Sequence, residues 1–196
     1  MNVTKFRIAI VCVLISTSGC LGRSLTPTYY TMSSLAPVTA PPQGTGPAIG
    51  VGPAELPAYL DRPHIATRRG SELGYDEYRR WGGGLEAELL RVLGANLARE
   101  LNTDRVAVYP VEPAYPLDVR VVLDVERFEG SLGGAVALDV RWVLTSGRGG
   151  EALGEGHTSI RQPVGSDQYG SLIEAHSIAV GTLGAKIATQ IRGLDD

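Results

Sequence analysis

The clearest alternation of apolar and polar residues lies between residues 117 and 145. Apolar side chains occupy every second position over 119–125 and again over 136–144, with charged residues at several of the intervening positions. A period of two is typical of strands that bury one face of a sheet. Because the glycine-rich segment 130–134 separates them, the two strands are predicted to form an antiparallel hairpin.

Two other segments have the spacing of an amphipathic helix. Over 85–101, leucine and valine recur three and four residues apart, while glutamate and arginine fall elsewhere. The segment 166–192 has a similar apolar stripe, and Gly181 and Gly184 also lie within this segment. Spacings of three and four place side chains on one helical face. Each helix is therefore predicted to bury one face and to leave the other in water.

Shorter runs complete the predicted elements. Further strands are expected at 28–32, 48–52, 65–68, 106–109 and 153–161. Pro57 and Pro63 forbid a helix between them, so that segment is expected to be an ordered, extended connection. The order of elements predicts an α+β fold, a mostly antiparallel sheet with two long helices packed on one face, in a single domain over 48–196.

A different pattern opens the chain. Lys5 and Arg7 precede an apolar run, 8–15, and then Thr17-Ser18-Gly19-Cys20. A bilayer-spanning helix needs about 20 apolar residues, so this run is interpreted as the apolar region of a secretory signal. Residues 1–19 are predicted to be a lipoprotein signal peptide and Cys20 the lipid-attachment site, although Thr17 stands where most such signals have Leu. The alternative is an ordinary secretory signal with a coincidental cysteine.

The segment after Cys20 is nearly free of charge. It carries none between Arg23 and residue 47, and it is rich in Pro, Thr, Ser, Gly and Ala. Residues 20–47 are therefore predicted to be the lipidated cysteine and a flexible tether, which the strand at 28–32 pins to the domain. The whole chain has a net charge of −3 and no long Lys/Arg run, which argues against a nucleic-acid partner. Cys12 lies in the signal, so no disulfide is expected.

The sequence contains no catalytic constellation. His64, His157 and His176 are isolated from one another, and no metal-binding motif occurs, so neither a metal site nor a cofactor is predicted. His176 is expected to be half-buried on its helix with one nitrogen satisfied. Asp124 and Glu126 lie on one strand face about 7 Å apart, but such pairs usually belong to a solvated face. The protein is therefore not expected to be an enzyme.

Apolar and aromatic residues in loops are the remaining candidates for function. Tyr59 and Leu60 lie between two prolines, and Trp81 precedes three consecutive glycines. Such residues either close the ends of the core or form a docking surface, and both interpretations stay open. The candidate partner-binding residues are Tyr59, Leu60, Asp61, Arg62 and Trp81.

These residues also carry a resemblance to a known family. The chain resembles the PqiC-type lipoproteins, also described as ABC-type transport auxiliary lipoproteins, from the lipobox cysteine through nearly the whole domain. The resemblance rests on Tyr29-Tyr30, Leu56-Pro57-Ala58-Tyr59-Leu60-Asp61-Arg62-Pro63, Arg80-Trp81, Asn96-Leu97, Val108-Tyr109-Pro110, the strand 121–128 and Trp142. The segment 56–63 is its most specific piece. The chain departs from the family at Gly82-Gly83-Gly84, where a small residue, an acid and a proline usually precede the leucine.

The resemblance implies a non-enzymatic subunit of an MCE-type intermembrane lipid transporter. Cys20 would be acylated with chains such as palmitate, and the protein would face the periplasm from the outer membrane. There it would dock the MCE protein, whose inner-membrane permease holds the other end, and support envelope integrity. Leu21 fits this location because the usual inner-membrane retention signal is Asp at that place.

One further expectation follows from the resemblance, and one alternative function is independent of it. Family members are thought to act as homo-oligomers, which would use the side of the last helix that carries Gly181 and Gly184, or the outer sheet face. An alternative function is that of an outer-membrane lipoprotein that regulates a cell-wall synthesis enzyme, since α+β domains on tethers suit that role too.

Overall fold

The computed structural model describes residues 25–34, 44 and 46–194, so the predicted signal peptide, Cys20 and Leu21 lie outside the described residues. The strands are β1 (Thr28–Tyr30), β2 (Ile49–Glu55), β3 (His64–Arg69), β4 (Glu72–Trp81), β5 (Val106–Val108), β6 (Val119–Gly130), β7 (Ala135–Ser146) and β8 (Ala152–Pro163). The helices are α1 (Leu85–Glu100) and α2 (Tyr169–Arg192). Each predicted helix and strand has a counterpart among these elements, whereas β4 was not predicted.

The strands form one mixed sheet organised around β6. On one edge of β6, β7 pairs antiparallel along nearly the whole strand, and β8 pairs antiparallel with β7. The other edge takes β2 in parallel over the first half and β3 in parallel at Gly130. Strand β5 runs parallel to β2, and β1 runs parallel to β4. The α+β class is confirmed, but the sheet is mixed rather than mostly antiparallel, because alternation in a sequence does not encode the direction of the neighbouring strand.

The two helices pack against the sheet and against each other. Helix α1 contacts β2 and β5, while α2 contacts β6, β7 and β8. A Cβ atom at Gly184 of α2 would lie 3.1 Å from the Cβ of Asn96 in α1, and Gly181 is buried as well. This side of α2 is thus covered by the same chain, and the expectation that it binds a second copy is wrong.

Residues 28–34, which we call the N-terminal strap, belong to the folded domain. The strand predicted at 28–32 is present as β1, and Met32 beyond it is 1% exposed. The Met32 amide donates to Glu88 Oε2 (2.8 Å), and Arg91 Nη2 donates to the Met32 carbonyl (2.5 Å). The Ser33 amide donates to Ser177 Oγ (3.1 Å). Contacts with both helices therefore extend the attachment predicted for the strand at 28–32 as far as Ser33.

The three glycines form the turn between β4 and α1. Gly84 has a φ of 83°, in the left-handed region that favours glycine, and Leu85 begins the helix directly after it. The Gly82 amide donates to the Tyr30 carbonyl (2.8 Å), so the turn is also attached to the N-terminal strap. The glycine run thus forms a tight turn that leads directly into α1.

Candidate functional site

A buried carboxylate lies beneath residues 56–63. The side chain of Glu129, near the end of β6, is 0% exposed. Its Oε2 accepts a hydrogen bond from the Tyr59 hydroxyl (2.6 Å), and its Oε1 accepts from Arg68 Nε (2.5 Å) and from Arg127 Nη2 (2.8 Å). Hydrogen-bonded cations offset the cost of burying a charge. We call these four residues the Glu129 cluster.

A bulge in β6 explains why Glu129 lies on this side of the sheet. Before the bulge, the odd-numbered residues up to Val125 face the core; the register shifts between Val125 and Arg127. After it, Phe128 turns inward, where its ring lies 4.8 Å from that of His176. An extra residue reverses which face alternate side chains occupy. Glu129 therefore points to the outer face, where Tyr59 reaches it.

The charges of the cluster are set by burial and by its own hydrogen bonds. Burial raises the pKa of the Glu129 carboxyl, but hydrogen bonds from Tyr59, Arg127 and Arg68 outweigh burial and hold that pKa below its usual value. Burial together with the bond to Glu129 raises the pKa of Tyr59 to about 12. Glu129 therefore stays ionised and Tyr59 stays a hydrogen-bond donor at neutral pH.

Residues 56–63 form an ordered loop above this cluster, which we call the 56–63 loop. Within it, the Leu60 amide donates to the Pro57 carbonyl and the Arg62 amide to the Leu60 carbonyl, both at 2.8 Å. Two contacts with Tyr75 of β4 hold it from outside: the Tyr75 hydroxyl donates to the Tyr59 carbonyl (3.0 Å), and the Arg62 guanidinium lies 4.3 Å from the centre of the Tyr75 ring. The loop therefore has one defined conformation before any partner binds.

The structure brings the five predicted partner-binding residues together but exposes only some of them. Tyr59 to Arg62 are consecutive in the loop, and the Trp81 amide donates to the Pro63 carbonyl (2.8 Å). Leu60 and Trp81 are 2% and 3% exposed and close the core at this point. Asp61 and Arg62 are exposed, and Tyr59 is half-buried. The side chains open to a partner are therefore mainly those of Asp61 and Arg62.

The predicted carboxylate pair belongs to a solvated ion-pair network on the outer face. Arg141 contacts Asp124 Oδ2 at 3.3 Å and Glu126 Oε1 at 2.6 Å. His157 Nε2 lies 3.8 Å from Glu126 on the same face. All four side chains are at least partly exposed, so the pair has the surroundings of ordinary surface charges rather than those of a buried acid–base site.

His176 is fully buried, not half-buried as expected. It is 1% exposed, its Nδ1 lies 2.8 Å from the Leu172 carbonyl, and its ring centre lies 5.5 Å from that of Trp81. Burial lowers its pKa to about 4, although the hydrogen bond to Leu172 and the charge of Glu129 act in the opposite direction. The imidazole is therefore neutral at pH 7 and packs as part of the core.

Two negative findings concern only residues 25–34, 44 and 46–194. Within that part of the chain, no group of three or more His, Cys, Asp or Glu side chains is arranged to hold a metal ion. Neither of its helices combines the length and the hydropathy that a bilayer-spanning segment needs.

Comparison with known proteins identifies the family. Residues 30–188 match the family model of the ABC-type transport auxiliary lipoprotein component, and the chain belongs to this family. The match begins inside β1 and includes the 56–63 loop, all four residues of the Glu129 cluster and most of α2. A search of curated proteins found no significant match.

Two solved structures share the fold. The crystal structure of an uncharacterized protein superposes with a TM-score of 0.69 and 18% identity over 85% of this chain and 99% of that chain. Protein XCC0632 from Xanthomonas campestris, assigned to the family DUF330, superposes with a TM-score of 0.61 and 19% identity over 87% of this chain and 96% of that one.

Proposed function

We propose that this protein is an outer-membrane lipoprotein subunit of an MCE-type intermembrane lipid transporter and that its 56–63 loop docks the periplasmic end of the MCE protein. The family match over residues 30–188 carries the proposal, because it makes the chain a transport auxiliary component. Acylated Cys20 anchors the subunit, the inner-membrane permease holds the other end of the MCE protein, and the complete assembly supports envelope integrity.

The geometry of the 56–63 loop supports its role in docking. A loop that is ordered before binding loses less conformational entropy when a partner binds. Tyr75 and the Glu129 cluster fix the loop, while Asp61 and Arg62 remain exposed. Adjacent charges of opposite sign on a fixed backbone favour a partner with a complementary pair of charges.

Capture of the partner tests the docking proposal. The variant Asp61→Ala/Arg62→Ala is expected to capture several-fold less MCE-domain protein from detergent-solubilised envelopes and to stay folded, with a Tm lowered only by the loss of the Arg62–Tyr75 contact. The matched control is Arg148→Ala/Glu151→Ala, which removes one exposed charge of each sign from the turn between β7 and β8. Undiminished capture by the loop variant would contradict the proposal. Capture of peptidoglycan synthases in place of MCE proteins would favour the cell-wall alternative.

Fractionation tests the anchor. Cys20→Ala is expected to move the protein from the outer-membrane fraction to the soluble periplasmic fraction. Cys12→Ala changes the other cysteine of the chain, within the predicted signal, and is expected to leave the protein in the membrane. If Cys20→Ala still sediments with outer membrane, the anchor proposal is wrong.

The subunit is further proposed to assemble as a homo-oligomer through the outer sheet face, since the other surface expected for this role is covered by α1. Native mass spectrometry of the acylated protein in detergent tests this assembly. A monomer over the whole working range of concentration would contradict it.

A further inference from the structure

The N-terminal strap determines how close the domain lies to its anchor. Only seven residues lie between Cys20 and Thr28, the first residue of β1, so the two are eight residue steps apart. A fully extended chain of that length spans about 28 Å. If residues 20–47 were all tether, the reach would be more than three times greater. Because β1 is paired with β4 and Met32 is buried, the longer reach is not available to the folded protein.

This short reach restricts the orientation of the domain. A domain of about 150 residues has a radius of gyration near 15 Å and hence a diameter of about 40 Å. If the side opposite β1 faced the bilayer, the segment from Cys20 to Thr28 would have to run about 60 Å around the domain. That distance is about twice the extended length of this segment. A domain anchored at Cys20 must therefore turn the β1–β4 edge of its sheet toward the membrane.

That edge exposes apolar and aromatic side chains. Leu25 is 64% exposed, Tyr29 in β1 is 61% exposed and Tyr78 in β4 is 36% exposed. Tyr29 pairs with Arg80 across the two strands, so these two side chains share a face of the sheet. Tyr78 is exposed two residues before Arg80 along β4. We call Leu25, Tyr29, Tyr78 and Arg80 the aromatic edge.

The other face of β1 is attached to the domain. The Tyr30 ring centre lies 6.0 Å from that of Tyr169 in α2, and Arg79 Nη1 donates to Thr28 Oγ1 (3.1 Å). These contacts fix the strand and leave Tyr29 directed away from the helix. The aromatic edge is therefore held rigidly at the place where the chain leaves for the anchor.

We propose that the aromatic edge contacts the phospholipid surface of the membrane that holds Cys20, an inference that rests on the proposed lipid anchor. Tyrosine is enriched at membrane interfaces because its ring is apolar and its hydroxyl is polar, and an arginine can pair with a phosphate group. Asp76 and Glu77 lie beside Arg79 and Arg80 in β4, so the local charges balance. The contact is therefore aromatic rather than electrostatic, and it should depend little on salt or on anionic lipid.

Fluorescence of single tryptophan reporters tests this contact. Residues 20–196 are coupled through Cys20, the one cysteine of that segment, to a maleimide lipid in vesicles of phosphatidylethanolamine and phosphatidylglycerol that contain a bromine-labelled quencher lipid. Tyr29→Trp and Tyr78→Trp place reporters on the aromatic edge. Leu153→Trp is the matched control, since Leu153 is 36% exposed in β8, which lies on the other side of β6 from β4 and β1. Trp81 and Trp142 are buried and supply a constant background.

The expected result is several-fold stronger quenching at positions 29 and 78 than at 153, unchanged by 0.5 M salt. Equal quenching at all three positions, or none at 29 and 78, would overturn the proposal, as would loss of the difference in high salt. A contact between positions 29 and 78 and a second copy or another protein would give no quenching by lipid. Coupling through the maleimide does not depend on acylation in the cell, so failure here is distinct from failure of the anchor proposal.

Discussion

The hydroxyl of Tyr59 donates a 2.6 Å hydrogen bond to Oε2 of Glu129, a residue 70 positions later in the chain. The bond joins the 56–63 loop to β6, around which the sheet is organised. Tyr75 and the arginines of the cluster add to it, so the loop is supported by β3, β4 and β6 together. A surface loop with this support behaves as part of the scaffold.

Removing the Tyr59 hydroxyl measures how much its hydrogen bond to Glu129 contributes to the free energy of unfolding. Tyr59→Phe leaves the ring in place but takes one hydrogen bond from a buried carboxylate, so the free energy of unfolding should fall by about 1–3 kcal/mol. Tyr29→Phe, at an exposed position, should change it by less than about 0.5 kcal/mol. Urea denaturation of both variants provides the comparison. Equal stability of the two would mean that Tyr59 does not hold the loop.

Burial of His176 should make stability depend on pH in a defined window. The pKa is about 4 in the folded protein against the ordinary 6.5, so the unfolded state binds the extra proton between these values. Stability is therefore complete above pH 6.5 and is lost as the pH falls toward 4. Between pH 7 and pH 5 the loss should be about 2 kcal/mol.

A variant at position 176 separates the effect of His176 on the pH dependence of stability from the effects of other titratable groups. His176→Gln is expected to flatten the dependence between pH 7 and pH 5, whatever its absolute stability. The pKa of Glu129 is lowered from its ordinary value of 4.5, so this residue changes the free energy of unfolding mainly below pH 4.5, outside that window. Denaturation curves at the two pH values measure both slopes. The assignment to His176 fails if the variant keeps the slope of the parent.

The N-terminal strap should contribute to global stability rather than fray independently. Met32→Ala removes a side chain that is 1% exposed and should lower the free energy of unfolding by about 2–5 kcal/mol. Leu132→Ala, in the turn between β6 and β7 and 39% exposed, is the control and should cost much less. A Met32→Ala protein as stable as the control would show that the strap is not part of the domain.

The elements of this fold were predictable where one face is buried and the other is solvated. The alternation over 119–125 and the leucine stripe of α1 carry that signal directly. Strand β4 does not: its residues are mostly half-buried on both faces, and the pairing of β3 with β4 is interrupted between His64 and Ala66. The parallel partners of β6 were not predictable either, because they depend on contacts distant in the sequence.

The candidate site was predictable only in part. The prolines and tyrosine of the 56–63 loop identified an ordered connection, but nothing in the sequence linked it to Glu129. Extended from Val125 without a bulge, the alternation would place Glu129 in the core, where an unpaired charge is unfavourable. The bulge before Arg127 moves it to the outer face. Likewise, the strand predicted at 28–32 did not indicate that the side chain of Met32 is buried.

Site-specific crosslinking at Asp61 tests the central claim, docking of the MCE protein by the 56–63 loop, most directly. A photoreactive amino acid at position 61, in cells that express the whole transporter, is predicted to crosslink to the MCE-domain protein. The same amino acid at position 148, in the turn between β7 and β8, is predicted to give no such product. Crosslinks from position 61 to peptidoglycan synthases, to other copies of this chain alone, or to no protein would contradict the account.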